Sequence, residues 1–213
     1  MASSFLERRS KLAQFFGSAG SSVGQLGGKF GASNSKVGKW GEVEAGKFLR
    51  RNLEHDPHSI VFADLVPKIF EGGSNPNIDF LVLRGTSCLI IDAKAWSAGT
   101  YYSMPCSNLT FKGFPPKVAK GASKTSFGFT SQYMMDKLKS RGITSFRRAY
   151  LLIPPYDKGD KGYNLALWRT NGIEKWVIGP ESAIKLQHWA VGIPDAPTPD
   201  GAIKFLKGLT YKK

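Results

Sequence analysis

Two apolar runs, "NIDFLVL" beginning at Asn77 and "CLIIDAK" beginning at Cys88, are separated only by "RGTS". Runs of this length, rich in Ile, Leu and Val and broken by Gly, read as buried strands joined by a tight turn. With Gly85 and Thr86 at the tip, residues pair outward from Arg84 with Ser87 and Leu83 with Cys88, until Asp79 faces Asp92. Lys94 projects from the same face as Asp92, because strand side chains alternate. Opposed residues have Cα atoms about 4.5 to 5.5 Å apart, and like charges placed there repel. A cation between the carboxylates would turn the repulsion into binding, since Mg²⁺ is held by one or two carboxylates plus waters and substrate phosphates. The ordinary alternative is an Asp79 at the solvent edge and a local Asp92–Lys94 ion pair.

Upstream, "KWGEVEAGKFLRRNLEH" has helical periodicity, with Glu42 on the face of Ala45, Leu49 and Leu53 and Glu44 on the opposite side near Trp40 and Phe48. Glu42 also fits the simpler role of a carboxylate near a helix start. "GEVEAGK" imitates a P-loop, but Phe48 stands where Ser or Thr would hold magnesium, and a Gly/Ser stretch replaces the preceding strand. His55 and His58 in "HDPH" suit a surface turn better than a zinc site, and His188 has no nucleophile motif beside it.

A chain of 213 residues with net charge +14 is sized for one domain plus tails and favours polyanionic partners. From Ala93 through Met135 there is no acidic residue. Lys112, Lys117, Lys120 and Lys124 fall there among aromatic residues such as Tyr101, Phe111 and Phe129, a mixture suited to a nucleic-acid groove or to a solvated basic loop over core aromatics. No apolar run approaches the roughly 20 residues of a bilayer span, and the N-terminus lacks a signal-peptide h-region, so a cytoplasmic location is expected. Cys88 in a strand and Cys106 in a loop suggest neither a disulfide framework nor a Cys-based zinc site.

Residues 3–16 alternate Phe5, Leu12, Phe15 and Phe16 with Arg8, Arg9 and Lys11, a pattern that could lie on a membrane surface or a partner. The Gly/Ser-rich stretch 17–36 reads as a flexible tether. The expected organisation is therefore a tail over 1–36 and a folded domain over 37–213, with the domain beginning near Val37. Further strands are expected in "SIVFADLVPKIF", "FRRAYLLIPP", "NLALWRT" and "KWVIG", and helices in "PESAIKLQHWA" and "PDGAIKFLKGL", each opened by Pro with an acid in the first turn. Strands between helices make an α/β or α+β domain with a central sheet.

The series "GKWGE", "NIDFLVL" and "IIDAKAW" resembles the PD-(D/E)xK nuclease superfamily, and more narrowly its nuclease-related domain, NERD. The resemblance covers about residues 38–140. It implies an α/β fold with a restriction-endonuclease-like core, a mixed sheet flanked by helices. It also implies a catalytic set of Glu42, Asp79, Asp92 and Lys94, with Gln132 of "TSQYMMDKL" in support. Asp79 and Asp92, helped by Glu42, would hold Mg²⁺, with Mn²⁺ able to substitute; Lys94 would orient or activate the attacking water. Asp92 stands where the family more often has Glu, and "QYMMD" lacks the tyrosine of RecB-like helices. The implied activity is hydrolysis of phosphodiester bonds, DNA before RNA. A non-catalytic basic module of the same fold, binding nucleic acid or tethered to a membrane, is the other reading.

Overall fold

The computed structural model describes residues 12–20, 32–71, 75–96, 99–103, 110–113, 115, 117–118, 127–154, 163–165 and 172–210. In chain order its elements begin β1 (Gln14–Phe16), α1 (Ala32–Leu53), β2 (Ser59–Leu65), β3 (Ile78–Arg84) and β4 (Ser87–Lys94). Then come β5 (Gly99–Ser103), β6 (Thr110–Lys112), β7 (Lys117–Val118), α2 (Phe127–Lys139) and β8 (Ser145–Leu152). The chain continues through β9 (Tyr163–Leu165), β10 (Ile173–Val177), α3 (Pro180–Val191) and α4 (Asp200–Lys207).

The expected hairpin forms as read. β3 and β4 pair antiparallel from Arg84↔Ser87 to Phe80↔Ile91 around the Gly85–Thr86 tip. Gly85 takes φ +54 at the first central position, which is where a type II′ turn requires glycine. These strands lie in the middle of a six-stranded mixed sheet ordered β1-β2-β3-β4-β8-β10. A central strand covered on both faces needs no polar side, and β3 is buried throughout.

Helices supply the two covers. On one face α1 and α3 bring Ala45, Leu49, Leu53, Leu186 and Trp189 onto Val82, Leu89, Ile91 and Leu151. On the other, α2 and α4 bring Met134, Leu138, Ala202 and Leu206 onto Leu81, Leu83, Ile90 and Tyr150. The expected α/β architecture with a mixed sheet flanked by helices is thus present. Residues 54–58 form the expected surface turn: Asp56 accepts from the His58 N–H, from Ser59 Oγ and from Arg84 Nε, which leaves the turn its own structural purpose. Among the described residues no helix is long and apolar enough to cross a membrane.

Two features add to the expected organisation. Within the basic, aromatic stretch after Lys94, β5, β6 and β7 are strands, and with β9 they make a second, four-stranded sheet ordered β7-β6-β5-β9. The span read as tail and tether also contributes to the fold. β1 pairs parallel with β2, Gln14 beside Ile60 and Phe16 beside Phe62, and α1 starts at Ala32 rather than after Val37. Phe16 stacks on Phe62 at 5.2 Å, while the Arg50 guanidinium covers Phe15 at 4.2 Å. Phe15 and Phe16, read as part of a stripe for a membrane surface or a partner, pack against the sheet edge. The rest of that stripe, including Phe5, Arg8, Arg9 and Lys11, lies outside the described residues.

Gly17 makes this docking possible, since it has φ +81 and a Cβ there would sit 2.2 Å from the Ala63 carbonyl oxygen. A left-handed conformation alone costs a non-glycine residue about 1–2 kcal/mol, and the backbone oxygen cannot move aside. Gly17→Ala should therefore detach β1, seen as faster amide exchange over Ile60–Phe62 in a protein that otherwise stays folded. Unchanged protection there would show that β1 is dispensable to the edge.

Candidate active site

The β3–β4 ladder ends at Phe80↔Ile91, and the next residues outward are Asp79 and Asp92. Here a side chain replaces the ladder: Asp79 Oδ2 accepts the Ala93 N–H at 2.7 Å, and Asn77 Nδ2 donates to Asp79 Oδ1 at 3.2 Å. Asp79 is 5 % exposed and Asp92 6 %, so the solvent-edge alternative for Asp79 fails. The other half of that alternative is present, because Lys94 Nζ lies 2.6 Å from Asp92 Oδ2. In the parallel ladder with β8, Asp92 sits beside Tyr150 and Lys94 beside Leu152.

Glu42 joins the cluster from α1, with Ala45, Leu49 and Leu53 buried on its face as the periodicity requires. The Gly20 N–H donates to its carboxylate, so the segment after β1 also shapes the site. Glu44 faces away and pairs with Lys47 at 2.8 Å.

The electrostatics follow from crowding. Burial, then Asp92 and Glu42, push the Asp79 carboxyl well above its ordinary value, against Lys94 and the Ala93 amide. Burial, then Asp64, raise Glu42 from 4.5 to about 7. Burial by itself would lower the Lys94 ammonium, but Asp92 and Asp79 outweigh it and hold Lys94 protonated above its usual range. Three carboxylates, those of Glu42, Asp79 and Asp92, therefore interact with one ammonium, and a fourth, that of Asp64, acts on Glu42.

The fourth, Asp64, escaped the reading of the sequence. It is 1 % exposed, lies in β2 between the pairs Ala63↔Phe80 and Leu65↔Ile78, and takes φ +56. That places it level with Asp79. An L-residue in this conformation is uncommon, though Asp tolerates it better than most. The signal was available, since "SIVFADL" is a third apolar run carrying an acid.

Gln132 is not drawn into the cluster. It is exposed on α2, and its amide donates to Asp136 Oδ1 at 3.1 Å. Of the basic residues, Lys117 is exposed and Lys112 stands opposite it in the β6–β7 register. Lys120 and Lys124 lie outside the described residues. Beneath Asp92 and Lys94, Trp96 stacks on Tyr101 at 4.7 Å and approaches Tyr150 at 5.4 Å, and Phe127 packs on Tyr150 at 5.2 Å. This aromatic floor excludes water from one side of the charges and strengthens their interactions.

Among the described residues no group of three or more His, Cys, Asp or Glu side chains is placed to hold a metal ion together. Mg²⁺ does not need one, because it keeps several waters and takes one or two carboxylates together with substrate phosphates. The donor set fits it: hard oxygen ligands only, in excess negative charge, with a buried carboxyl whose ionisation its neighbours oppose.

The central hairpin of this α/β sheet thus opens onto buried acids, with a lysine two residues beyond the second. Residues 37–121 match the family model of the nuclease-related domain, NERD. The match includes Glu42, Asp64, Asp79, Asp92 and Lys94 but ends before Gln132 and α2. No curated protein and no solved structure matches the chain.

Proposed function

We propose that the protein is a Mg²⁺-dependent nuclease that hydrolyses phosphodiester bonds, of DNA in preference to RNA, in the cytoplasm. One observation carries the reading most: two buried aspartates at the open end of a core hairpin, coupled to a third acid and balanced by a single lysine. In this arrangement burial and its neighbours oppose ionisation of Asp79, which a pure binding module has no need of. The nuclease-related domain over the same residues supports it.

Asp79 and Asp92 would hold the cation, with Glu42 helping. When bound, Mg²⁺ polarises the phosphoryl oxygen and lowers the pKa of its water. Lys94 is an ammonium here, so it donates rather than accepts: it orients the attacking water and offsets charge developing on the phosphate. Gln132 could position water or phosphate only after exchanging its Asp136 partner. Lys112, Lys117, Lys120 and Lys124 would neutralise phosphates of the bound strand.

The test is incubation with supercoiled plasmid, linear duplex and single-stranded DNA in Mg²⁺, Mn²⁺ or EDTA. Cleavage in either metal and none in EDTA is expected. Binding without cleavage in every condition would sink the enzyme and leave the basic binding module.

A further inference from the structure

We propose that Phe70 and Phe129 form a stacking platform for unpaired bases beside the carboxylate cluster, so that the protein engages single-stranded or splayed nucleic acid in preference to intact duplex. This rests on the nuclease reading of the site. The two rings come from the loop after β2 and from the first turn of α2, yet lie nearly parallel, 8° apart with centroids 6.1 Å apart. They remain 44 % and 45 % exposed, and neither belongs to either core cluster. Two aligned phenyl faces left half in water offer what a base requires, and stacking on them tolerates any sequence. Bases inside a duplex are already stacked on one another and must be splayed out to use such a surface.

The platform is held in place. Asn75 Oδ1 accepts the N–H groups of Ile69 and Phe70, each at 2.7 Å, and Asn75 Nδ2 returns a bond to the Phe70 carbonyl at 3.3 Å. Tyr133 Oη donates to the Lys68 carbonyl at 3.3 Å, tying the loop to α2. Both anchors lead to the site. The chain from Asn75 to Asp79 spans at most about 14 Å fully extended, and Asn77 within it bonds Asp79 directly. Phe127, on the same turn as Phe129, packs on Tyr150, the register partner of Asp92. A base seated on the rings would therefore hold its strand within a few nucleotides of the carboxylates.

The surrounding charge is mixed: Lys68 and Lys137 flank the rings, but so do Glu71 and Asp136, all exposed. Attraction to phosphate is thus weak at this spot, and the bases are the part of the strand it suits, while the +14 charge of the whole chain draws the polyanion in.

The experiment measures anisotropy of labelled single-stranded DNA and of a blunt duplex of equal length, in EDTA, with wild type, Phe70→Ala, Phe129→Ala and Phe129→Trp. Each alanine should weaken single-strand binding about tenfold and leave duplex binding within about a factor of two, while the tryptophan retains single-strand affinity. Both rings are half exposed, so the fold should survive, with circular dichroism as the check. Unchanged single-strand affinity, or an equal loss on both DNAs, overturns the platform and leaves the rings to another occupant. If wild type cleaves DNA in Mg²⁺ while the alanines bind as wild type, the platform alone falls. If wild type neither cleaves nor binds, the nuclease reading falls with it.

Discussion

Replacing Asp92 by Ala or Lys94 by Ala should reduce DNA cleavage by about 10²–10³-fold or more, the loss that follows removal of one well-placed stabilising group. The two losses have different origins. Without Asp92 the cation loses an oxygen ligand and Lys94 loses the partner 2.6 Å away. Without Lys94 the acids remain, but nothing offsets the charge that develops on the phosphate. Breaking a buried pair leaves its survivor uncompensated and destabilises, so Asp92→Asn and Lys94→Gln, which keep volume and hydrogen-bonding capacity, guard against mistaking unfolding for inactivity. Gln132→Ala, at an exposed site already engaged with Asp136, should lose less than about tenfold. Full activity in a well-folded Asp92 or Lys94 variant, measured by plasmid cleavage at saturating Mg²⁺, would end the assignment.

In EDTA, the melting temperature should fall as pH rises from about 5 to about 8. Glu42 has its carboxyl raised from 4.5 to about 7 in the folded chain. Between those values the native state keeps a proton that the unfolded state releases, and raising pH favours the state with fewer bound protons. Asp79, raised for the same reasons, adds in the same direction. The Glu42 shift corresponds to about 3 kcal/mol before solvent screening is allowed for, or a fall of roughly 5–10 °C in a chain of this size. Asp56 does not obscure this. Hydrogen bonds from Ser59, His58 and Arg84 overcome its burial and lower its pKa, so the stability it contributes is lost only at more acid pH. Millimolar Mg²⁺ should restore stability most at the alkaline end, because metal binding competes with those protons. Asp79→Asn should flatten the slope. Thermal scans across the window check all three, and a melting temperature that rose with pH in EDTA would contradict the crowded-acid description.

The parts of the site carried by local pattern were legible in advance. A two-residue turn with Gly85 at its tip leaves one register for the flanking strands, and that register sets Asp79 and Asp92 next to each other. Glu42 followed from helical phase. Asp64 did not, because its place depends on a left-handed backbone inside a strand, which no periodicity encodes. β1 was hidden for a related reason: three residues are too few for a strand pattern, and Phe15 and Phe16 beside basic residues imitate an amphipathic surface segment until Phe62 is known to lie beneath. The small sheet from Gly99 onward was masked by its lysines and aromatics, whose composition spoke of binding rather than pairing.

The position of β1 bears on how this protein can be cut. Trimming to the boundary of the family match at residue 37 would remove the strand and open the outer side of β2 along Ile60–Phe62, leaving only the Leu65–Thr210 bridge beyond. That strand is buried from Ser59 to Leu65 and carries a row of amide and carbonyl groups with no charged side chain before Asp64 to discourage pairing. Bare edges of this kind recruit a strand from another copy. The same cut would take away the Gly20 amide that steadies Glu42. A minimal fragment would thus trade a capped sheet edge for a self-templating one and loosen its own acid cluster at once.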